Sequence, residues 1–206
     1  MRERNRIMYS KVTVEPSGEP VSLLDIKKDL RVDHDEEDGR IGSMIISARQ
    51  TIEQYTNSSL ITQTRVLKLD SFPACETIYL PNGPVQSVTS ISYVDEDGNN
   101  QTLALDTDYY ADFDSKIARL EAVNFWPATK DRPNAVTITY VCGYGSASAV
   151  PSPLKSALSL LVGHLYENRE QVVDGNMMEL PFGVHSLISS YVIEQPATYY
   201  AYRTPR

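Results

Sequence analysis

The hydrophobic period of this chain changes twice, and that change restricts the fold more than any single residue does. Apolar side chains at Ile41, Ile45, Ala48, Ile52 and Tyr55 are spaced four, three, four and three apart, which marks one face of a helix. From Ile61 to Cys142 the pattern alternates instead and is rich in Val, Ile, Thr and Tyr, as half-buried strands require. Helical spacing returns at Leu154, Ala157, Leu158, Leu161 and Leu165. Helices, then strands, then helices predict an α+β fold.

Local signals sharpen the boundaries. Ser22 opens a short helix over 23–30, with Asp25 placed to answer its cap. Ser152 is read as the cap of the late helix and Pro153 as its first position. The sequence PNGP at 81–84 predicts a sharp turn. Hairpins are expected from 88–94 to 102–105 and from Tyr109 to Leu120, and a final strand over 135–141. Val184, Leu187, Ile188 and Tyr191 mark a last short helix after a Met/Gly/Pro-containing loop. The expected organisation is an N-terminal arm at 1–20, a helical core from 21–57 with 151–193, a β-rich domain inserted at 58–150, and an extended C-terminal tail at 194–206.

The late helix is wider than one stripe. Leu160 and Val162 extend its apolar surface beyond the face carrying Leu158 and Leu161, so it is expected to be covered on two sides, the second by another copy. Candidate interface residues on the two apolar helices and just after them are Ile41, Ile45, Ile52, Leu158, Leu161, Leu165, Tyr166 and Arg169. The composition includes 13 tyrosines against 4 phenylalanines and one tryptophan. Strand propensity explains most of them, and surfaces buried only on assembly suit the rest. Tyr199, Tyr200, Tyr202, Arg203 and Arg206 crowd an acid-free tail, and such residues are enriched at interfaces. Docking on a partner is the favoured reading of that tail, and a disordered end the reading of Arg2, Arg4 and Arg6.

Charge and motifs remove several function classes. A formal charge of −8 argues against general affinity for nucleic-acid phosphates. No apolar run approaches the roughly 20 residues of a membrane span, and the first residues lack a secretory signal's apolar core. The chain is expected to be cytosolic, or to be assembled there. Cys75 and Cys142, both within β-like sequence, read as small buried or half-buried residues in a reducing cell. The acidic run Asp33, Asp35, Glu36, Glu37 and Asp38 lacks the fixed ligand offsets of a cation loop. In the loop 95–100 (DEDGNN) the glycine comes too early for a calcium site. His34, His164 and His185 form no metal-binding pair. There is no nucleophile elbow, phosphate loop or dinucleotide fingerprint. Trp126 beside Pro127 is read as capping a core rather than as a sugar platform. The expectation is a structural protein without catalytic residues, metal or cofactor.

Ordered short segments then carry a family likeness: VSLLDIKKDL at 21–30, IISAR at 45–49, IEQYT at 52–56, LDSFP at 69–73 and IYLP at 78–81. They continue with PVQSVTSISY at 84–93, Asp97-Gly98, FWP at 125–127, VCGYG at 141–145, Val150-Pro151 and HLYENRE at 164–170. In this order and spacing the chain resembles the head–tail connector, or adaptor, proteins of long-tailed phages and gene transfer agents. The resemblance implies a helical core packed side by side into a ring, commonly of twelve copies, beneath the portal at the capsid vertex. It also implies a stopper, tail terminator or tail protein below, DNA passing through the lumen without sequence-specific binding, and no catalytic residues. A terminal segment reaching the portal would suit the Tyr/Arg tail. Twelve copies would carry a formal charge of about −100, which in the lumen would repel the genome and let it slide. The alternatives are another neck ring, a carbohydrate-binding or hydrolytic module built on the β domain, and a cellular adaptor unrelated to phage.

Overall fold

The computed structural model describes residues 8–73, 77–168 and 181–194. These residues form an α+β structure, with four α-helices and eight strands in two antiparallel sheets among them. The chain divides into two compact units: a helical unit of Pro16–Ile61 with Tyr144–Val192, and a β unit built on Thr62–Gly143 that also takes in the first strand.

In the helical unit, α1 (Leu23–Leu30) begins at Ser22, whose Oγ accepts the Asp25 N–H at 3.1 Å. This is the expected cap. Arg31 ends the helix in the left-handed region at φ 57°. Helix α2 (Asp38–Thr56) starts earlier than the apolar pattern does, because Asp38 and Gly39 extend it by a polar turn. Helix α3 (Ser152–Glu167) has Pro151, not Ser152, at its N-cap, and no side chain caps it. Ser152 thus lies inside the first turn, a correction to the expected boundary. The last helix, α4 (Phe182–Ile188), continues into a 3-10 turn over Ser189–Tyr191.

One core closes this unit. Ile26, Ile41, Ile45, Ala48 and Ile52 meet Leu154, Ala157, Leu158, Leu161 and Val162, with Val184 and Ile188 completing the cluster. Each fully buried aliphatic side chain contributes about 1.5–3 kcal/mol relative to exposure.

The β unit contains β1 (Met8–Val14), β2 (Gln63–Leu69), β3 (Thr77–Tyr79), β4 (Val85–Val94) and β5 (Asn100–Leu103). The remaining strands are β6 (Tyr109–Asp112), β7 (Arg119–Ala122) and β8 (Val136–Cys142). The larger sheet has the order β1-β2-β8-β4-β5 and the smaller β3-β7-β6. Both expected hairpins form, as β4–β5 and β6–β7. Strand β8 buries Val136, Ile138, Tyr140 and Cys142 in strict alternation. The Tyr140 hydroxyl donates to the Pro81 carbonyl at 2.9 Å, satisfying the polar tip of a fully buried ring. Pro81 opens the expected turn, which holds Asn82 at φ 58° and a cis Gly83–Pro84 bond.

Strand β1 corrects the N-terminal expectation. Residues 1–20 read as an arm, yet Met8–Val14 pair antiparallel with β2 from Met8↔Leu69 to Val14↔Thr64. No side chain from Ser10 to Val14 is buried, and the alternation of Lys11-Val12-Thr13-Val14 is too short to mark a strand by itself.

Candidate assembly surfaces

The residues expected to join subunits divide sharply by exposure. Ile41, Ile52 and Leu158 are 0% exposed, and Ile45 and Leu161 are 2% exposed. All five are enclosed by the helical unit's own core, so none presents a side chain to a neighbour. The periodicity located the inward face of each helix, and the same apolar spacing serves a core and an interface equally. Leu165 and Tyr166 are half-buried against that core. Arg169 and the tail residues Tyr199, Tyr200, Tyr202, Arg203 and Arg206 lie outside the described residues.

The apolar surface that does reach solvent belongs to other residues. On the helical unit these are Leu24, Ile46, Leu160 and Phe182, with Phe182 88% exposed. Leu160 sits off the buried stripe of α3 and is the one residue the sequence flagged for this surface. Val162, flagged with it, is buried in the core. Tyr55, also partly exposed, meets the His185 ring edge-on at 5.6 Å.

Ionic contacts fix the polar side of the helical unit. Lys27 donates to Asp35 at 2.6 Å and Asp38 at 2.7 Å, and its pKa is raised chiefly by those two bonds. The Tyr166 hydroxyl donates to Glu37. The acidic run therefore fastens the α1–α2 link: Lys27 neutralises two of its carboxylates and Tyr166 binds a third. His164 is half-buried, and its ring and carbonyl meet the Asn168 side chain at the end of α3.

On the β unit, Tyr93, Leu103, Asp108, Val123 and Phe125 line a shallow depression of about 190 Å³. Burial raises the Tyr93 phenol pKa, with Asp95 and Asp108 adding to the effect. Trp126 stacks on Phe72 with centroids 5.0 Å apart and planes 6° from parallel. One ring face is thus committed to the core, in keeping with the capping role. The Asp95 carboxylate accepts from the Asn99 N–H at 2.8 Å and from the Gln101 amide at 2.9 Å, so the calcium-like loop holds its own turn together. Among the described residues, no group of three or more His, Cys, Asp and Glu is arranged to hold a metal ion, and no helix is long and apolar enough to cross a membrane.

The sequence profile of head completion proteins matches residues 21–176. The chain belongs to the head completion protein family. Solved structures agree with that membership over nearly the whole length. A component of the neck of an empty gene transfer agent particle, computed with C6 symmetry, is 27% identical with a TM-score of 0.76, covering 91% of this chain and 97% of its own. A component of the virion of a native gene transfer agent particle is 27% identical with a TM-score of 0.75, covering 91% and 96%. A component of the native neck computed with C12 symmetry is 25% identical with a TM-score of 0.72, covering 91% and 97%. No curated protein matches the sequence. This head completion protein is a structural protein of the virion head–tail neck, as the sequence resemblance implied.

Proposed function

We propose that this protein is the connector, or adaptor, of the neck: a ring of twelve copies beneath the portal that joins the DNA-filled capsid to the tail and lines the DNA channel. The observation that carries the reading is the near end-to-end correspondence with a neck component, 91% of this chain against 97% of the other. A particle neck with C12 symmetry contains a similar chain, which supports twelve copies. A ring needs a heterologous interface, two different patches meeting around the circle. Leu24, Ile46, Leu160 and Phe182 supply exposed apolar groups for it, with Leu165 and Tyr166 at the rim and Arg169 following α3. The tail residues Tyr199, Tyr200, Tyr202, Arg203 and Arg206 contact the portal above, and a stopper, tail terminator or tail protein binds below. DNA passes through without sequence-specific contacts, and no cofactor is required.

Mass photometry of the protein, alone and with the portal from the same genome, tests this. A ring-sized increment on the portal is expected, and it disappears when the chain ends at Glu194. An increment that survives truncation moves the contact to the helical unit. A failure to associate at any salt concentration rejects the adaptor position. It favours a ring farther from the portal, since head completion and neck name a region rather than one ring within it.

A further inference from the structure

We propose that the shallow depression on the β unit is a binding site for a single neutral pyranose ring, which packs on Phe125 and is held through its hydroxyls at Asp108. The site lies wholly within Thr62–Gly143 and does not depend on the ring reading.

Two kinds of surface line it. Leu103, Val123 and Phe125 supply the apolar part. The Phe125 ring is 84% exposed and belongs to no core, whereas Phe72 and Trp126 beside it are committed to that of the β unit. Tyr93, Thr107, Asp108 and Asn124 supply the polar part. A pyranose divides in the same way. One face of C–H groups packs on an aromatic ring, and an edge of hydroxyls both donates and accepts.

The polar groups keep hydrogen-bonding capacity for a ligand. Asp108 accepts the Ala104 N–H through Oδ2 at 2.8 Å, which leaves Oδ1 for a sugar hydroxyl. The Tyr93 and Asn124 side chains make no hydrogen bond among the described residues. Burial raises the Tyr93 pKa, and Asp95 and Asp108 raise it further, so the phenol keeps its proton and can donate. Donors and acceptors are thereby mixed. A site for a lysine or arginine side chain would need acceptors alone, since those groups only donate. The nearby carboxylates repel anions, which restricts the sugar to a neutral one.

The shape is fixed before binding. The Asp108 N–H donates to the Ala104 carbonyl at 2.9 Å, and the Val123 N–H to the Asp108 carbonyl at 3.0 Å. These bonds tie the turn after β5 to the chain leaving β7. Phe72 backs the depression, meeting Tyr93 edge-on with centroids 5.5 Å apart. Such preorganisation lowers the cost of binding. The volume of about 190 Å³ is below the roughly 300–1,000 Å³ of sites for drug-sized ligands, and suits one ring. An open site of that size implies a Kd on the order of mM.

Saturation-transfer difference NMR on the full chain tests the assignment, and reads a monomer or a ring equally well. The probes are methyl β-D-glucopyranoside, methyl β-D-galactopyranoside, methyl α-D-mannopyranoside and N-acetyl-D-glucosamine. A saturable signal is expected with at least one, strongest at the C–H protons of one sugar face. Phe125→Ala and Asp108→Asn should each weaken it at least fivefold. Both are exposed positions, and asparagine keeps an acceptor for Ala104, so circular dichroism should be unchanged. N-Acetylneuraminic acid, an anionic sugar, should bind at least fivefold more weakly than the best neutral probe. Should either variant lose its fold, Asn124→Ala replaces it with the same expected loss. No saturable signal with any of the four, up to about 100 mM, overturns the proposal. A signal that none of the substitutions alters lies elsewhere on the protein and overturns it too. Saturable binding of arginine ethyl ester, with none of the sugars, would make the depression a cation site instead.

Discussion

Arg49 donates from Nη1 to Glu53 Oε2 at 3.0 Å, one helical turn away, while the other oxygen of Glu53 accepts the Leu60 N–H at 2.8 Å. Glu19 holds the remaining side of the guanidinium. Burial works against the charge on Arg49, yet Glu19 and Glu53 outweigh it and hold its pKa above the ordinary value. The chain leaving α2 is thereby tied back to that helix by a charged pair inside the protomer.

Glu53→Ala leaves both Arg49 and the Leu60 N–H short of an acceptor, and is expected to cost about 3–5 kcal/mol. Glu53→Gln keeps an acceptor for Leu60 and should cost about 1–2 kcal/mol. Urea unfolding measures both, and equal costs would contradict the dual role.

Leu158 and Leu160 separate folding from assembly. Leu158→Ala opens a cavity in a fully buried site and should cost about 2–5 kcal/mol. Leu160→Glu, at a side chain 53% exposed, should change stability by no more than about 0.5 kcal/mol while reducing ring formation at least tenfold. Unfolding curves paired with mass photometry test the contrast. A Leu160→Glu ring as abundant as wild type would remove this residue from the interface.

Stability should be flat around neutral pH and fall at both extremes. Asp35 is held below the ordinary carboxyl value by its bond from Lys27, Asp95 by the Gln101 amide, and Asp112 by the Ser115 hydroxyl. Their folded-state pKa values are depressed, so their contribution is complete above about pH 4 and is lost as acid protonates them. Lys27 is shifted upward, so its contribution is complete below about pH 10 and is lost above it. Thermal midpoints across pH measure this, and Lys27→Met should blunt the alkaline fall. A midpoint that changes steadily between pH 5 and 9 would point to other groups.

Trp126 is the chain's one tryptophan, so its fluorescence reports on the β unit. Trp126→Leu removes the stack on Phe72 and should cost about 2 kcal/mol, read as a lower urea midpoint by circular dichroism. Phe72→Leu should red-shift the Trp126 emission without unfolding the protein. An unshifted spectrum would mean the stack does not persist in solution.

The sequence by itself determined the α+β order, the Ser22 cap, the turn at Pro81 and both hairpins, because each is encoded within a few residues of chain. The tertiary structure decided which apolar faces close within one protomer. Ile41, Ile45, Ile52, Leu158 and Leu161 have the spacing of a helix face, and spacing carries no record of what covers that face. Tertiary structure also placed Met8–Val14 beside β2, a pairing of main-chain groups far apart in sequence that no local pattern specifies. The same is true of Lys27 gripping Asp35 and Asp38: the charges are plain in the sequence, but which of them meet depends on how α1 and α2 fold back on one another. Local hydrogen bonding and periodicity can be read from sequence, whereas burial is a property of the whole fold.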